Sequence, residues 1–131
     1  MTKLSEPSKE LARRLLSEVD FEDRIVGVKI MWRAGNKVSS IYSFREAVDF
    51  LHTDSLEDLL SMGTRSSIGF IDPDKLKRWV SDVLGDKELA EEMGKEIEKH
   101  NNYADMAKVI KQLMQQRLSQ CRRMVGNDAK A

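Results

Sequence analysis

The apolar positions change period along the chain, and each change predicts an element. Leu11, Leu15, Leu16 and Val19 recur at helical spacing, and Pro7 suits a first helical turn. A first helix is expected over residues 7–19, with Ser5 as its N-cap. Residues 24–33 then alternate: Val26, Val28, Ile30 and Trp32 fall on one face, and Gly27, Lys29 and Met31 on the other. Ala34-Gly35-Asn36-Lys37 reads as a tight turn, because Gly and Asn tolerate positive φ. Residues 38–41 would be a short returning strand. Since a two-stranded hairpin is marginal alone, helices are expected to cover its apolar face.

Helical spacing returns at Ser43, where Ser43 and Glu46 form a capping box ahead of Phe44, Ala47, Val48 and Leu51. A weaker cue, Ser55 with Asp58, predicts a helix ending at Gly63, followed by a loop over 64–71. Asp72-Pro73 is a strong helix start, and Leu76, Trp79, Val80, Val83 and Leu84 form its stripe before Gly85. Asp86 caps the next helix, with Leu89, Ala90, Met93 and Ile97 inward. Asn102 with Asp105 opens a last helix running to about Val125, striped by Met106, Ile110, Leu113, Met114, Leu118, Cys121 and Val125. The fold class expected is α+β, mostly helical: a short two-stranded β-hairpin packed against about five helices, with a long C-terminal helix. The chain reads as a single domain over 1–131. It comprises an N-terminal helix (1–19), a hairpin (20–42), a helical part (43–125) and a frayed tail (126–131).

Composition narrows the function. The 131 residues carry 22 basic and 22 acidic side chains, a net charge of zero, which excludes binding to nucleic acid by bulk positive charge. The distribution is uneven. Residues 43–62 hold one base and five acids (1 − 5 = −4), residues 86–100 three and six (3 − 6 = −3), and residues 103–131 six and two (6 − 2 = +4). The last helix is therefore expected to pack near the acidic helices, within one chain or between two. No run approaches the ~18–20 apolar residues of a membrane span, and no secretory core opens the chain, so a cytoplasmic protein is expected.

Candidate chemistry is sparse. His52, His100 and Cys121 are too few for a metal site, and each histidine falls near a helix end, where its ring meets the last carbonyls. The seven glycines are scattered, with no phosphate-cradling motif; Gly63-Thr64-Arg65-Ser66-Ser67 reads as an ordinary turn. No catalytic residue, metal or cofactor is expected. What remains are contact surfaces. Trp32 ends a strand beside Arg33, and the distal last helix is long for so small a domain. Trp32, Met114, Leu118, Cys121, Arg122 and Val125 are therefore the candidate partner-binding residues, for another protein or a second copy of the chain. Lys75, Lys77, Arg78, Arg117 and Arg123 form the alternative, a local basic surface for nucleic acid or a ribosome-associated role.

The run Leu76-Lys77-Arg78-Trp79-Val80-Ser81-Asp82-Val83-Leu84-Gly85-Asp86-Lys87-Glu88-Leu89-Ala90 resembles a family of short prokaryotic, mostly archaeal, domains of unknown function. Gly35, residues 43–51, Trp79, Gly85, Asp86, Leu89 and Ala90 fill that family's pattern, and Tyr103 to Leu118 is similar to its following helix. Phe70 stands near the family's His position, and Asp74-Lys75-Leu76 replaces its Asn-Asp-Phe. The resemblance implies a strand–turn–strand unit followed by helices, and says little about activity. These readings point to a non-catalytic interaction or regulatory module that self-associates through the C-terminal helix.

Overall fold

The computed structural model describes residues 4–31, 35–53 and 67–129. Trp32, the predicted helix over 55–63 and most of the Gly63–Ser67 turn lie outside them. The described residues form α1 (Lys9–Leu15), a 3-10 turn (Phe21–Asp23), β1 (Ile25–Met31), β2 (Gly35–Ile41), α2 (Phe44–Phe50), β3 (His52–Thr53), β4 (Ser67–Phe70), α3 (Pro73–Arg78), α4 (Lys87–Lys99) and α5 (Tyr103–Ala129). The architecture is α+β and mostly helical, with a long C-terminal helix.

The first helix is shorter than its apolar spacing suggested. Ser8, not Ser5, is the N-cap: its side chain accepts from the Leu11 amide at 3.1 Å. Pro7 precedes the cap and is buried. Ser5 is thereby free for a partner elsewhere in the chain.

The hairpin belongs to a larger sheet. Two further strands extend it into four, in the order β2-β1-β4-β3, with every pairing antiparallel. Ser67 to Phe70, expected in a loop, is the strand that docks on β1. Four residues are too few for alternation to show in sequence, and pairing with β1 is what makes them a strand. His52, expected near a helix end, opens β3 for the same reason. Gly35 has φ +84°, as a turn glycine would, yet Gly35, Asn36 and Lys37 already pair with β1, so β2 starts earlier than expected.

Which face of the sheet is covered also differs from expectation. Side chains directly opposite in an antiparallel pair share a face. One face carries Ile25 and Gly27 opposite Ile41 and Ser39, and α2 packs there. A Cβ on Gly27 would sit 2.5 Å from Phe50 Cε1, so only glycine admits that ring. The other face carries Val26, Val28 and Ile30, which were expected under helices. It is largely open.

α3 starts as its sequence announced, with the Asp72 carboxylate accepting from the Asp74 and Lys75 amides and Pro73 in the first turn. It then widens into a π turn over Trp79–Val83, with the Leu84 amide reaching the Trp79 carbonyl at 3.1 Å. Leu76, Trp79, Val80 and Leu84 are all buried. The Trp79 indole donates to the Asp23 carbonyl at 2.7 Å, which ties the 3-10 turn to the core. Gly85, at φ +79°, reverses the chain into α4.

α4 buries Leu89, Ala90 and Met93. α5 begins at the Asn102 cap, which accepts from the Asp105 amide at 2.9 Å. Its 27 residues continue through Gly126 to Ala129, where a frayed tail was expected. At ~1.5 Å per residue the helix is roughly 40 Å long. It does not project alone. α1, α4 and α2 all pack against it. The core is therefore one cluster from Leu4 to Cys121, with Met124 and Val125 packed at its margin.

Candidate functional site

Two places stand out among the described residues, and they differ in kind. The first is a charged node inside the helical layer. Arg117 projects from α5 among Leu113, Met114, Leu118 and Cys121, and only 1% of its side chain is exposed. Its Nε lies 2.8 Å from Asp86 Oδ2, an ion pair in which the N–H points off the line between the atoms. Its Nη2 meets Glu88 at 2.7 Å, and its Nη1 donates to the Ser5 carbonyl at 2.6 Å and to Gln120 at 2.9 Å. Gln120 in turn donates to the Leu4 carbonyl at 2.9 Å. The Ser5 hydroxyl closes the ring by donating to the other Glu88 oxygen.

Each partner answers a need created by burial. A buried guanidinium requires opposite charge and filled donors. Asp86 supplies the charge while its Oδ1 still caps α4 through the Leu89 amide at 3.1 Å. Glu88 is held below the usual carboxylate range, first by the Ser5 hydroxyl and then by Arg117, against the opposing pull of desolvation. Burial pushes the neighbouring Cys121 thiol up to about 11, and Arg117 offsets part of that. A thiol so placed is protonated at neutral pH, which removes it as a nucleophile. The node is a clasp that fastens the N-terminal segment over α4 and α5.

This corrects both lists of candidate residues. Met114, Leu118 and Cys121 were expected to face a partner; they lie in the chain's own core, because α1, α2 and α4 of the same chain pack on α5. Arg117 was expected on a basic surface for phosphate, and it is buried against carboxylates of its own chain. The remaining residues are scattered. Arg122 is exposed, Val125 half-buried, and Arg123 exposed and 3.6 Å from Glu6. Lys75 and Arg78 are exposed on α3, whereas Lys77 lies over Gly94, its Nζ 2.9 Å from where a Cβ would be. The charge asymmetry did foretell the packing, since basic α5 meets acidic α4 within one chain through Arg117, Asp86 and Glu88.

The second place is the open sheet face. The strand register lines up Phe70, Val28 and Val38 in one row and Ile68, Ile30 and Asn36 in the next, with Val26 beside Ser40. Val38 is 67% exposed, Val26 43% and Ile30 40%, while Val28, Ile68 and Phe70 are half-buried. Tyr103, at the start of α5, closes one corner. Its ring packs 4.7 Å from that of Phe70, and its hydroxyl donates to the Gly69 carbonyl at 2.9 Å and accepts from the Ile71 amide. Burial raises the pKa of that phenol.

Sequence reasoning missed both places, though each left a signal. Arg117 stands four residues after Leu113 and four before Cys121, on the apolar stripe, where a charge requires an explanation. The valines of β1 are legible in the sequence, and what covers them is not.

Among the described residues, no group of three His, Cys, Asp or Glu side chains is placed to hold a metal ion. Nor is any of their helices long and apolar enough to cross a membrane. The residues that carry the family resemblance have structural work here: Trp79 ties down a turn, Gly85 reverses the chain, and Asp86 caps α4 and pairs with Arg117. Compared with known proteins, the chain matches no protein-family model, no curated protein and no solved structure.

Proposed function

We propose that this protein is a non-catalytic interaction module of the cytoplasm that engages a protein partner through the open face of its sheet. One observation carries the reading: Val26, Ile30 and Val38 are exposed on one face and joined through Val28, Ile68 and Phe70 into a contiguous apolar surface. Scattered apolar residues at a surface are ordinary, but a contiguous patch on a rigid element favours a partner that removes it from water. Ser40 and Asn36 at its margin supply a polar border. The cytoplasmic placement is supported by the single cysteine, which is free and buried.

Capture from the native cell tests this reading, using tagged wild-type protein, Ile30→Lys, and the double variant Lys75→Ala/Arg78→Ala. The expected result is a co-purifying protein that Ile30→Lys loses and the double variant retains, with circular dichroism unchanged in both. Equal capture by wild type and Ile30→Lys would overturn it. Capture abolished by nuclease and by the α3 variant would instead favour nucleic acid.

A further inference from the structure

We propose that β2 is a pairing edge for a second copy of this chain, the two strands running antiparallel about Val38. The inference rests on the sheet being an interaction surface, and it names the first partner of that sheet.

β2 ends the strand order, and among the described residues it pairs with β1 alone. Its free side presents backbone donors and acceptors that another strand can take up. Most of the usual defences of an edge are missing. β2 contains no proline, its seven pairings with β1 run without a bulge, and its one charge is Lys37. Val38, the residue that would be hidden by pairing, is the most exposed large apolar residue described, at 67%.

The strand is also self-complementary, which favours a second copy over an unrelated peptide. Val38 is the middle residue of Gly35–Ile41. A two-fold axis there sets Val38 against Val38 of the other copy, Lys37 against Ser39, Asn36 against Ser40, and Gly35 against Ile41. All seven residues find a partner, and no like charges stand opposite. A shift by one position in either direction would leave ends unpaired and move Val38 off its counterpart. Opposed residues share a face, so the apolar row Phe70–Val28–Val38 continues into Val38–Val28–Phe70 of the second copy. The four-stranded sheet is thereby doubled into one continuous open surface, with the isologous symmetry usual in homodimers.

Cysteine cross-linking and solution mass test this arrangement in the full chain. Val38→Cys should form a covalent dimer under mild oxidation. Asn36→Cys alone should not, while an equimolar mixture of Asn36→Cys and Ser40→Cys should. Wild type, whose Cys121 is buried, should give no cross-link. By light scattering, wild type should reach twice the 15.0 kDa of the chain, and Val38→Lys, which opposes two cations at the axis, should return to the monomer mass with its circular dichroism retained. Ile30→Lys, on the neighbouring strand, should leave the dimer intact. A wild type that stays monomeric at sub-millimolar concentration would overturn the proposal. So would a dimer that survives Val38→Lys and is not trapped by Val38→Cys, or a monomer whose β2 binds an extended peptide from another protein. In each case a captured partner lost on Ile30→Lys would still stand for the open face.

Discussion

Arg117 and Asp86 form an ion pair inside the protein: Nε and Oδ2 are 2.8 Å apart, and each side chain is 1% exposed. The pair joins α5 to the first turn of α4 and, through the other guanidinium nitrogens, to the chain's N-terminal segment. Breaking such a pair from one side strands the other charge in the interior, at a cost of about 3–5 kcal/mol. Arg117→Met is therefore expected to lower the urea midpoint sharply. Arg117→Met/Asp86→Asn removes both charges and keeps an oxygen to cap α4, and should recover most of the loss. An Arg117→Met variant as stable as wild type would show that the clasp contributes nothing.

Glu88 gives the same clasp a pH dependence. Its pKa is lowered from 4.5 by the Ser5 hydroxyl and by Arg117. A depressed carboxylate contributes stability that is present above the unfolded-state value and is lost as pH falls through the folded value. Its side chain is 42% exposed, so solvent screening keeps the contribution small. Wild type is expected to be slightly more stable than Glu88→Gln at neutral pH, and the gap should close as the pH falls below 4.5. Urea titrations of both proteins across that range provide the check, and a gap that widens toward acid would contradict it.

Gly27 is a steric requirement, and substituting it should show as much. Alanine there puts a methyl group 2.5 Å from Phe50 Cε1, so the ring or the strand must move. Overpacking of this kind costs about 1–3 kcal/mol. Gly27→Ala is expected to lower Tm, and adding Phe50→Leu should return part of the loss. Strict additivity of the two changes in a double-mutant cycle would argue against the contact.

Cys121 offers a probe of opening. With its thiol buried and its pKa raised to about 11, it should resist thiol reagents in the native state and react once urea unfolds the chain. Rapid labelling of native protein would place the side chain outside the core. Because Leu118 and Cys121 belong to that core, removing the chain beyond Leu118 is expected to destabilise the fold, which makes truncation a poor test of self-association.

The helix caps were legible in sequence because they are local. Asp72, Asp86, Asn102 and Ser43 each lie within three residues of the amide they satisfy, and all four cap as their spacing implied. Ser5 was misassigned for the converse reason: its partner, Glu88, is 83 positions away. β4 was misread because four residues become a strand only by docking on β1. The candidate partner surface on α5 was misplaced because periodicity shows that a face is apolar and is silent on what covers it.

By itself, then, the sequence determined the local and the periodic. It set the starts of α2 to α5, the identity of the β1–β2 hairpin, the apolar stripe of α5, and the charge imbalance that draws α5 to α4. Tertiary structure alone decided which apolar surfaces are used up and which stay open. α1 packs on α5, whose Leu118 and Cys121 are buried, while α2 takes the Gly27 face of the sheet and leaves Val26, Ile30 and Val38 in water. Burial is a relation between segments distant in sequence, whereas hydrogen bonds across a turn and side-chain spacing along one helix are relations between neighbours.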